Sequence, residues 1–163
     1  MKEIPLTHGQ VALIDDEDLP TIAGYNWYAG LVSRNGDYYA EARIGPKKQR
    51  ICISMARLIV GAKPGEEADH RNHNTLDNTR SNLRACTHLN NLANKKMYST
   101  NTSGFKGVHK VREKWRALIS VGRKRIHLGY YSSPEAAGAA YDQAALRYFG
   151  EFALTNQMLK AVA

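Results

Sequence analysis

Three strand-like segments joined by very short turns restrict most strongly what this chain can fold into. The segments span residues 106–111, 115–121 and 125–130 and are rich in β-branched and aromatic residues. Only residues 112–114 and 122–124 separate them. Because a parallel neighbour needs a crossover of about a dozen residues or more, these segments are predicted to pair as an antiparallel meander.

An amphipathic helix is predicted directly after the third segment. Ser132 and Glu135 have the spacing of a capping box, Pro134 suits the first turn, and Gly150 is placed to end the helix. Small and aromatic residues recur on one face, namely Ala136, Ala137, Ala140, Tyr141, Ala144, Ala145 and Tyr148. The C-terminal region is therefore predicted to be a three-stranded antiparallel sheet packed on one α-helix.

The net charge of +8 is confined to the same part of the chain. Up to residue 94, eleven basic residues are matched by eleven acidic ones, whereas from residue 95 onward twelve basic residues face four acidic ones. Such an asymmetry favours a polyanionic partner.

The region before residue 60 is predicted to be rich in β-strands. The strand-like segments are residues 4–6, 11–14, 38–44 and 50–54. Residues 45–48, Gly-Pro-Lys-Lys, are typical of a hairpin with a longer loop. The acidic run 15–18 favours a helix N-terminus just after it, and residues 54–60 form either a short helix or a continuing strand.

Residues 66–96 are dense in Asp, His and Asn, which are common in turns and at metal sites. Asp69 and His70 end an apparent strand, and Asn82 follows a polar loop. A second strand and a helix come next, with Asn91 about one turn into the helix. Each residue alone is typical of ordinary loops, but all four in this order indicate a catalytic site.

Three phrases in this region carry a family resemblance. They are Ala68-Asp69-His70-Arg71-Asn72-His73-Asn74, Asp77-Asn78-Thr79-Arg80-Ser81-Asn82-Leu83-Arg84 and Thr87-His88-Leu89-Asn90-Asn91. Their order resembles the phage-type HNH homing endonucleases whose final histidine is replaced by asparagine, and residues 4–9 and 11–18 resemble the N-terminal arm of such proteins. The resemblance implies an α+β fold with a ββα-metal hairpin in an N-terminal β-rich region. It also implies metal-dependent hydrolysis of DNA phosphodiester bonds, by nicking or double-strand cleavage.

The resemblance assigns a role to each of four residues. Asp69 and the Asn91 amide would bind one Mg²⁺ or Mn²⁺ ion through hard oxygen ligands. His70 would be the general base, because an imidazole can take a proton from water near neutral pH. Asn82 would complete the catalytic set by organising the loop so that His70 faces the phosphate.

One position departs from the family pattern. The family usually has a His-Arg pair at this point of the chain. Here Ala56 takes the place of the histidine, and Arg57 follows it. Two hypotheses for the function therefore remain open. The chain is either a metal-dependent endonuclease or a non-catalytic DNA-binding regulator with a degenerate HNH motif.

Residues 103–156 carry a second resemblance. The matching phrases are Ser103-Gly104-Phe105-Lys106-Gly107-Val108, Trp115-Arg116-Ala117-Leu118-Ile119, Arg125-Ile126-His127-Leu128-Gly129-Tyr130-Tyr131, Ser133-Pro134-Glu135-Ala136-Ala137, Ala140-Tyr141-Asp142-Gln143-Ala144-Ala145 and Gly150-Glu151-Phe152-Ala153-Leu154-Thr155-Asn156. They are similar to the AP2/ERF DNA-binding domain, whose twisted sheet is narrow enough to enter a major groove. Double-stranded DNA is the expected partner, and no protein partner is evident from the sequence.

The expected DNA contacts follow this resemblance. They are Lys106, His109, Arg112, Lys114, Trp115, Arg116, Arg123 and Arg125, together with Arg84 of the hairpin. Several phosphate contacts would make binding steeply dependent on salt. By its spacing, Trp115 either stacks on a sugar or anchors the core of the sheet.

The predicted organisation is a nuclease domain at 1–96 with its hairpin core at 66–96, a linker at 97–104, a DNA-binding domain at 105–156 and a tail at 157–163. The sequence has no run of about 18 apolar residues and no signal-peptide core, so a cytoplasmic location in a bacterial or phage-infected host is expected.

Two cysteines, Cys52 and Cys86, lack the spacing of a zinc site or a disulfide framework, and both are expected to be buried.

Overall fold

The computed structural model describes residues 1–31, 37–98 and 100–161. The chain divides into two compact units, Met1–Thr87 and His88–Ala163, and both mix strands with helices. The predicted α+β class is confirmed at this level. The predicted domain limits, with the nuclease region ending at 96 and a linker at 97–104, remain predictions.

The first unit is built from short antiparallel sheets. Its strands are β1 (Lys2–Pro5), β2 (Val11–Ile14), β3 (Trp27–Leu31), β4 (Tyr38–Ile44), β5 (Ile51–Ser54), β6 (Glu66–His70) and β7 (Leu83–Thr87). They pair as a β1-β2 hairpin, a β3-β4-β5 sheet and a β6-β7 hairpin. Its short α-helices are α1 (Leu19–Ile22) and α2 (Met55–Ile59), and single 3₁₀ turns span Thr7–Gly9 and Asp16–Asp18.

Most of the local predictions for this unit hold. The hairpin of β4 and β5 is confirmed, with Ile44 opposite Ile51. Strand β3 was not predicted, because it is a five-residue strand containing glycine and its place depends on pairing with β4. The alternative left open at 54–60 is settled as helix α2, whose residues Met55, Ala56 and Ile59 are buried.

The core of the first unit lies between the N-terminal hairpin and α2. Its buried members are Ala12, Ile14, Ile22, Ala40, Met55, Ala56, Ile59 and Leu83. Leu83 belongs to β7, so the same core supports the hairpin that carries the candidate site.

The expectation that both cysteines are buried is wrong for Cys52. Cys86 is buried, whereas Cys52 is exposed. The β4-β5 register explains the difference, because Cys52 lies opposite the exposed Arg43 while Ile53 lies opposite the buried Ala42.

The polar loop between β6 and β7 is fastened to the N-terminal hairpin. The backbone N–H of Leu13 donates to the Leu76 carbonyl, and the N–H of Asn78 donates to the Leu13 carbonyl, both at 2.8 Å. Farther along the loop, the Arg80 guanidinium bonds both oxygens of the fully buried Asp18, from Nε at 3.0 Å and Nη2 at 2.6 Å. The acidic run therefore does more than precede helix α1, since Asp18 holds the loop in place.

The second unit contains the predicted meander. Its elements are α3 (His88–Ala93), β8 (Val108–Val111), β9 (Lys114–Val121), β10 (Lys124–Tyr131), α4 (Pro134–Phe149), a 3₁₀ turn (Gly150–Phe152) and α5 (Asn156–Ala161). The strands pair antiparallel in the order β8-β9-β10, and α4 packs against the sheet. The three-stranded sheet with one covering helix is thus observed as predicted.

Two glycines allow the sheet and helix to approach closely. A Cβ at Gly107, where φ is +74°, would lie 2.0 Å from the Tyr141 ring, and one at Gly138 would lie 2.6 Å from Phe105. Any larger residue at these positions would push α4 away from the segment that precedes β8. Gly107 also explains why β8 begins at Val108 and not at residue 106.

The start of α4 is corrected by one residue. The N-cap is Ser133, whose Oγ accepts the Ala136 N–H at 3.2 Å, and not Ser132. Pro134 occupies the first helical position, which makes the preceding residue the cap. Gly150 ends the helix at φ +53°, as predicted.

Helix α5 occupies most of the segment predicted as a tail. Its first residue, Asn156, is 4% exposed, and its side chain accepts the Lys106 N–H and donates to the Lys106 carbonyl and to Asp142. Asn156 therefore joins the segment before β8 to α4. None of the helices in the described ranges is both long and apolar enough to cross a membrane.

We expect Asn156→Ala to lower the free energy of unfolding by about 2 kcal/mol, because it leaves the partly buried backbone N–H and C=O of Lys106 without these partners. Urea unfolding followed by circular dichroism would measure the change. The neighbouring Gln157→Ala is the control, since Gln157 is exposed and its contact with Asp142 runs through the backbone. Equal stability of the two variants would contradict this role of Asn156.

Candidate functional site

The β6-β7 hairpin places two of the candidate residues side by side at the end of β6. In the register of this hairpin, Asp69 lies opposite Arg84 and His70 lies opposite Leu83. Asp69 and His70 are 4% and 5% exposed. Two polar side chains are therefore held in a buried position, which requires specific partners.

Asp69 is paired with Arg84. Nε and Nη2 of the guanidinium both lie 2.7 Å from Oδ2 of the carboxylate, and both side chains are buried. The sequence placed Arg84 among the DNA contacts, but the structure places its guanidinium inside the unit, where it holds Asp69. The physical reason is the strand register, which puts the two residues directly opposite each other.

Asn78 and Tyr39 contact His70. Its Nε2 lies 3.2 Å from Oδ1 of Asn78, and its ring meets the Tyr39 ring edge-on at a centroid distance of 6.0 Å. Burial lowers the pKa of His70 below its ordinary value of 6.5, although the Asn78 hydrogen bond and the Asp69 charge oppose this effect. The neutral imidazole, which can accept a proton, is therefore favoured.

Tyr39 shares this environment. Burial, followed by the charges of Asp37 and Asp69, raises the pKa of the Tyr39 phenol. The phenol therefore stays neutral beside His70 at physiological pH.

Asn82 spans the polar loop. Its Oδ1 accepts the Asn72 N–H at 2.9 Å, and its Nδ2 donates to the Asp77 carbonyl at 2.7 Å. A single side chain thus joins the first and second halves of the loop, and it is 6% exposed. This cross-connection limits how far the loop can move next to His70.

Asn91 lies on helix α3, in the second compact unit, whereas the other three candidates lie in the first. Within the first unit, Asp69 and His70 are adjacent at the end of β6, and Asn82 directly precedes Leu83, the residue that pairs with His70. The assignment of Asn91 as a metal ligand remains a prediction from the family pattern.

The donor chemistry at this end of β6 suits a hard cation. Within the described ranges, no group of three or more His, Cys, Asp and Glu side chains has metal-binding geometry. A softer metal such as zinc usually takes several of these ligands, whereas Mg²⁺ takes one or two carboxylate or amide oxygens and keeps waters. The Asp69 carboxylate fits the second case.

Ala56, the departure from the family pattern, belongs to the hydrophobic core. It is 3% exposed and packs with the other core residues of the first unit on helix α2. A side chain at this position packs inside the unit, so a substitution here changes the packing of the core.

The sheet of the second unit has one polar face. His109 is paired with Arg116, and Arg125 with Ser120, so these residues point to the side of the sheet opposite α4. We call this surface the outer face. His109, Arg116 and Arg125 line a cleft of about 480 Å³ in which no Asp or Glu takes part among the described residues. Within the described part of the chain, the buried Nε of Arg116 has no hydrogen-bond partner.

The remaining predicted DNA contacts are spread around this sheet. Lys114 begins β9, and Arg112 and Arg123 lie in the two turns, all three exposed or half-exposed. Trp115 packs on the α4 side with Val108, Ala117 and Ala137, which favours the core alternative for its ring.

Lys106 has a different environment from the other basic residues. Its Nζ donates to the Ala93 carbonyl at 2.7 Å, and burial lowers its pKa to about 8. The structure therefore gives Lys106 a partner within the second unit.

The sequence interpretation missed two neighbours of His70 and one ion pair. Asn78 and Tyr39 contact His70, and the Asp18–Arg80 pair anchors the loop. The sequence could not predict these contacts, because Tyr39 lies on another sheet and Asp18 precedes Arg80 by 62 residues. The Asp77-Asn78 phrase was matched to the family, but only the folded loop shows which side chain reaches His70.

A comparison with curated proteins identifies the family. An uncharacterized HNH endonuclease of Acanthamoeba polyphaga mimivirus is 30% identical to this chain over 152 residues, covering 92% of the chain and 76% of the relative. The chain therefore belongs to the HNH endonuclease family, and the predicted resemblance is confirmed.

Two plant proteins match a shorter segment. An ethylene-responsive transcription factor of Arabidopsis thaliana is 41% identical over 63 residues, covering 36% of the chain and 15% of the relative. An ethylene-responsive transcription factor-like protein of the same plant is 35% identical over 68 residues, covering 40% of the chain and 30% of the relative. The chain thus joins an HNH region to an AP2/ERF-like segment. No family model and no solved structure matches the chain.

The lowered pKa of His70 generates a pH prediction. Since the unfolded chain binds a proton at about 6.5 while the folded chain resists it, stability present above this pH is lost as the pH falls toward the folded pKa. We expect wild type to lose stability relative to His70→Gln as the pH falls below about 7. Urea unfolding of the metal-free proteins across this range measures the difference, and a pH-independent difference would contradict the prediction.

Proposed function

We propose that the chain is a metal-dependent DNA endonuclease that binds double-stranded DNA through the outer face of its C-terminal sheet. The observation that carries the proposal is the buried pair Asp69 and His70 at the end of β6, beside a loop braced by Asn82. Membership of the HNH endonuclease family supports the same conclusion.

Asp69 would hold one Mg²⁺ or Mn²⁺ ion, and the family pattern assigns the second protein ligand to Asn91. When bound, the ion supplies positive charge that stabilises the scissile phosphate and the leaving oxygen. Arg84 sets the orientation of the Asp69 carboxylate through its two contacts with Oδ2. We propose this orienting role for Arg84 in place of a DNA contact.

His70 would act as the general base. It takes one proton from a water molecule as the water oxygen forms a bond to phosphorus, and the bond from phosphorus to the 3′ oxygen breaks. The 3′ oxygen leaves and is protonated by solvent. The lowered pKa keeps His70 neutral before this step, so its lone pair is available at neutral pH. Asn82 braces the loop that shapes the surroundings of His70.

The outer face would supply most of the DNA affinity. Its basic residues and the absence of acidic residues among the described lining of the cleft fit a polyanionic duplex. Similarity to ethylene-responsive transcription factors supports DNA as the partner. Tethering through this sheet would raise the local concentration of nuclease site at nearby phosphodiesters.

The second hypothesis was a regulator that binds DNA without cutting it. Its supporting feature was Ala56, and this residue packs in the core of the first unit. The departure therefore concerns a packing position, which favours the endonuclease hypothesis.

The catalytic proposal predicts that His70→Ala lowers the rate of plasmid nicking in Mg²⁺ by roughly 10²- to 10⁴-fold, because the general base is removed. Supercoiled plasmid followed on agarose gels measures the rate under single-turnover conditions. His8→Ala is the matched control, since His8 is exposed and lies in the 3₁₀ turn after β1. Equal cleavage by wild type and His70→Ala would refute the role of His70. Gel shifts without cleavage in any divalent ion would favour the regulator.

The binding proposal predicts that Arg125→Ala weakens duplex binding by roughly tenfold and reduces the salt slope by about one. Fluorescence anisotropy of labelled duplex at several salt concentrations measures both quantities. Arg147→Ala removes the same charge from an exposed position on α4, on the other side of the sheet, and is expected to bind nearly as wild type. An equal loss in both variants would show that only net charge matters.

A further inference from the structure

We propose that Asn78 decides which nitrogen of His70 carries the proton. Its side chain holds the Nε2–H of the neutral imidazole, and Nδ1 is then the nitrogen that accepts a proton from water. The inference rests on the proposed function of His70 as the general base. Asn78 is a positioning residue in this scheme, since it acts through His70.

The orientation of the Asn78 amide carries the first step. Its Nδ2 lies 3.4 Å from the Leu76 carbonyl oxygen, and its Oδ1 lies 3.2 Å from Nε2 of His70. A carbonyl oxygen only accepts hydrogen bonds, so the NH₂ group has to face Leu76. The flipped amide would place two acceptors against each other. Oδ1 therefore faces His70, and Nε2 must be the donor.

Burial makes this contact specific. Asn78 is 1% exposed and His70 is 5% exposed, so water does not compete for the amide oxygen in the folded chain. A hydrogen bond of ordinary strength changes the ratio of the two imidazole tautomers by roughly fivefold. A neutral amide achieves this without placing a further negative charge beside Asp69.

The backbone of Asn78 is fixed independently of His70. Its N–H donates to the Leu13 carbonyl at 2.8 Å, and Leu13 in turn donates to Leu76 at 2.8 Å. Two residues later the loop is anchored again by the contact of Arg80 with Asp18. The N-terminal hairpin thus fixes the position of Asn78, and Asn78 sets the orientation of the imidazole.

The test compares two substitutions of similar size. Asn78→Leu removes the acceptor, whereas Asn78→Asp keeps an oxygen at the same position. Nitrogen-15 NMR of the metal-free full chain, recorded above the titration range of histidine, identifies the protonated ring nitrogen of His70 and the exchange of its proton with water. The wild-type spectrum alone already tests the assignment, because a proton on Nδ1 would overturn it even if a variant failed to fold.

We expect the wild-type Nε2–H to exchange slowly, Asn78→Leu to exchange at least about tenfold faster, and Asn78→Asp to remain protected. Slow exchange persisting in a folded Asn78→Leu would overturn the proposal. Plasmid nicking is the second readout: kcat should fall by at most roughly fivefold in Asn78→Leu, in line with the change in tautomer ratio, with KM for DNA unchanged. If wild type does not nick DNA, the proposed function fails, whereas the NMR result still decides the role of Asn78.

Discussion

The attachment of the polar loop to the N-terminal hairpin is the constraint on which the candidate site depends. A loop of Asp, Asn, Thr and Arg residues has little apolar surface to bury, so it needs hydrogen bonds to hold one conformation. The backbone contacts of Leu13 and the ion pair of Arg80 with the buried Asp18 supply them. The N-terminal hairpin is therefore part of the site although it contributes no proposed catalytic residue.

The first unit uses burial to select the ionisation states of its functional groups. Desolvation disfavours the charged form of His70 and raises the pKa of Tyr39, while Asp69 remains paired with Arg84. The second unit keeps a basic surface on the sheet face opposite α4. The two units thus contain two different environments, a buried polar site in the first and a basic sheet face in the second.

Predictions based on adjacent residues succeeded, and those that required distant contacts did not. The three strands and α4 follow from short turns and helix-capping residues, so they were predicted to within two residues of most of their ends. The N-cap moved from Ser132 to Ser133 because Pro134 takes the first helical position. Strand β3 and helix α5 were missed, since β3 needs its pairing with β4 and α5 is anchored through Asn156 to residues far earlier in the chain.

Local patterns in the chain were sufficient to specify the meander, the helix on it, the basic C-terminal region and the ordered set Asp69, His70, Asn82 and Asn91. These features depend on residue type and spacing, which can be read directly from the sequence. Folding assigned the partners: Arg84 faces Asp69, Asn78 reaches His70, and Ala56 packs in the core. Such partners depend on strand register and on how the loop between β6 and β7 folds back, and short-range spacing contains no information about either.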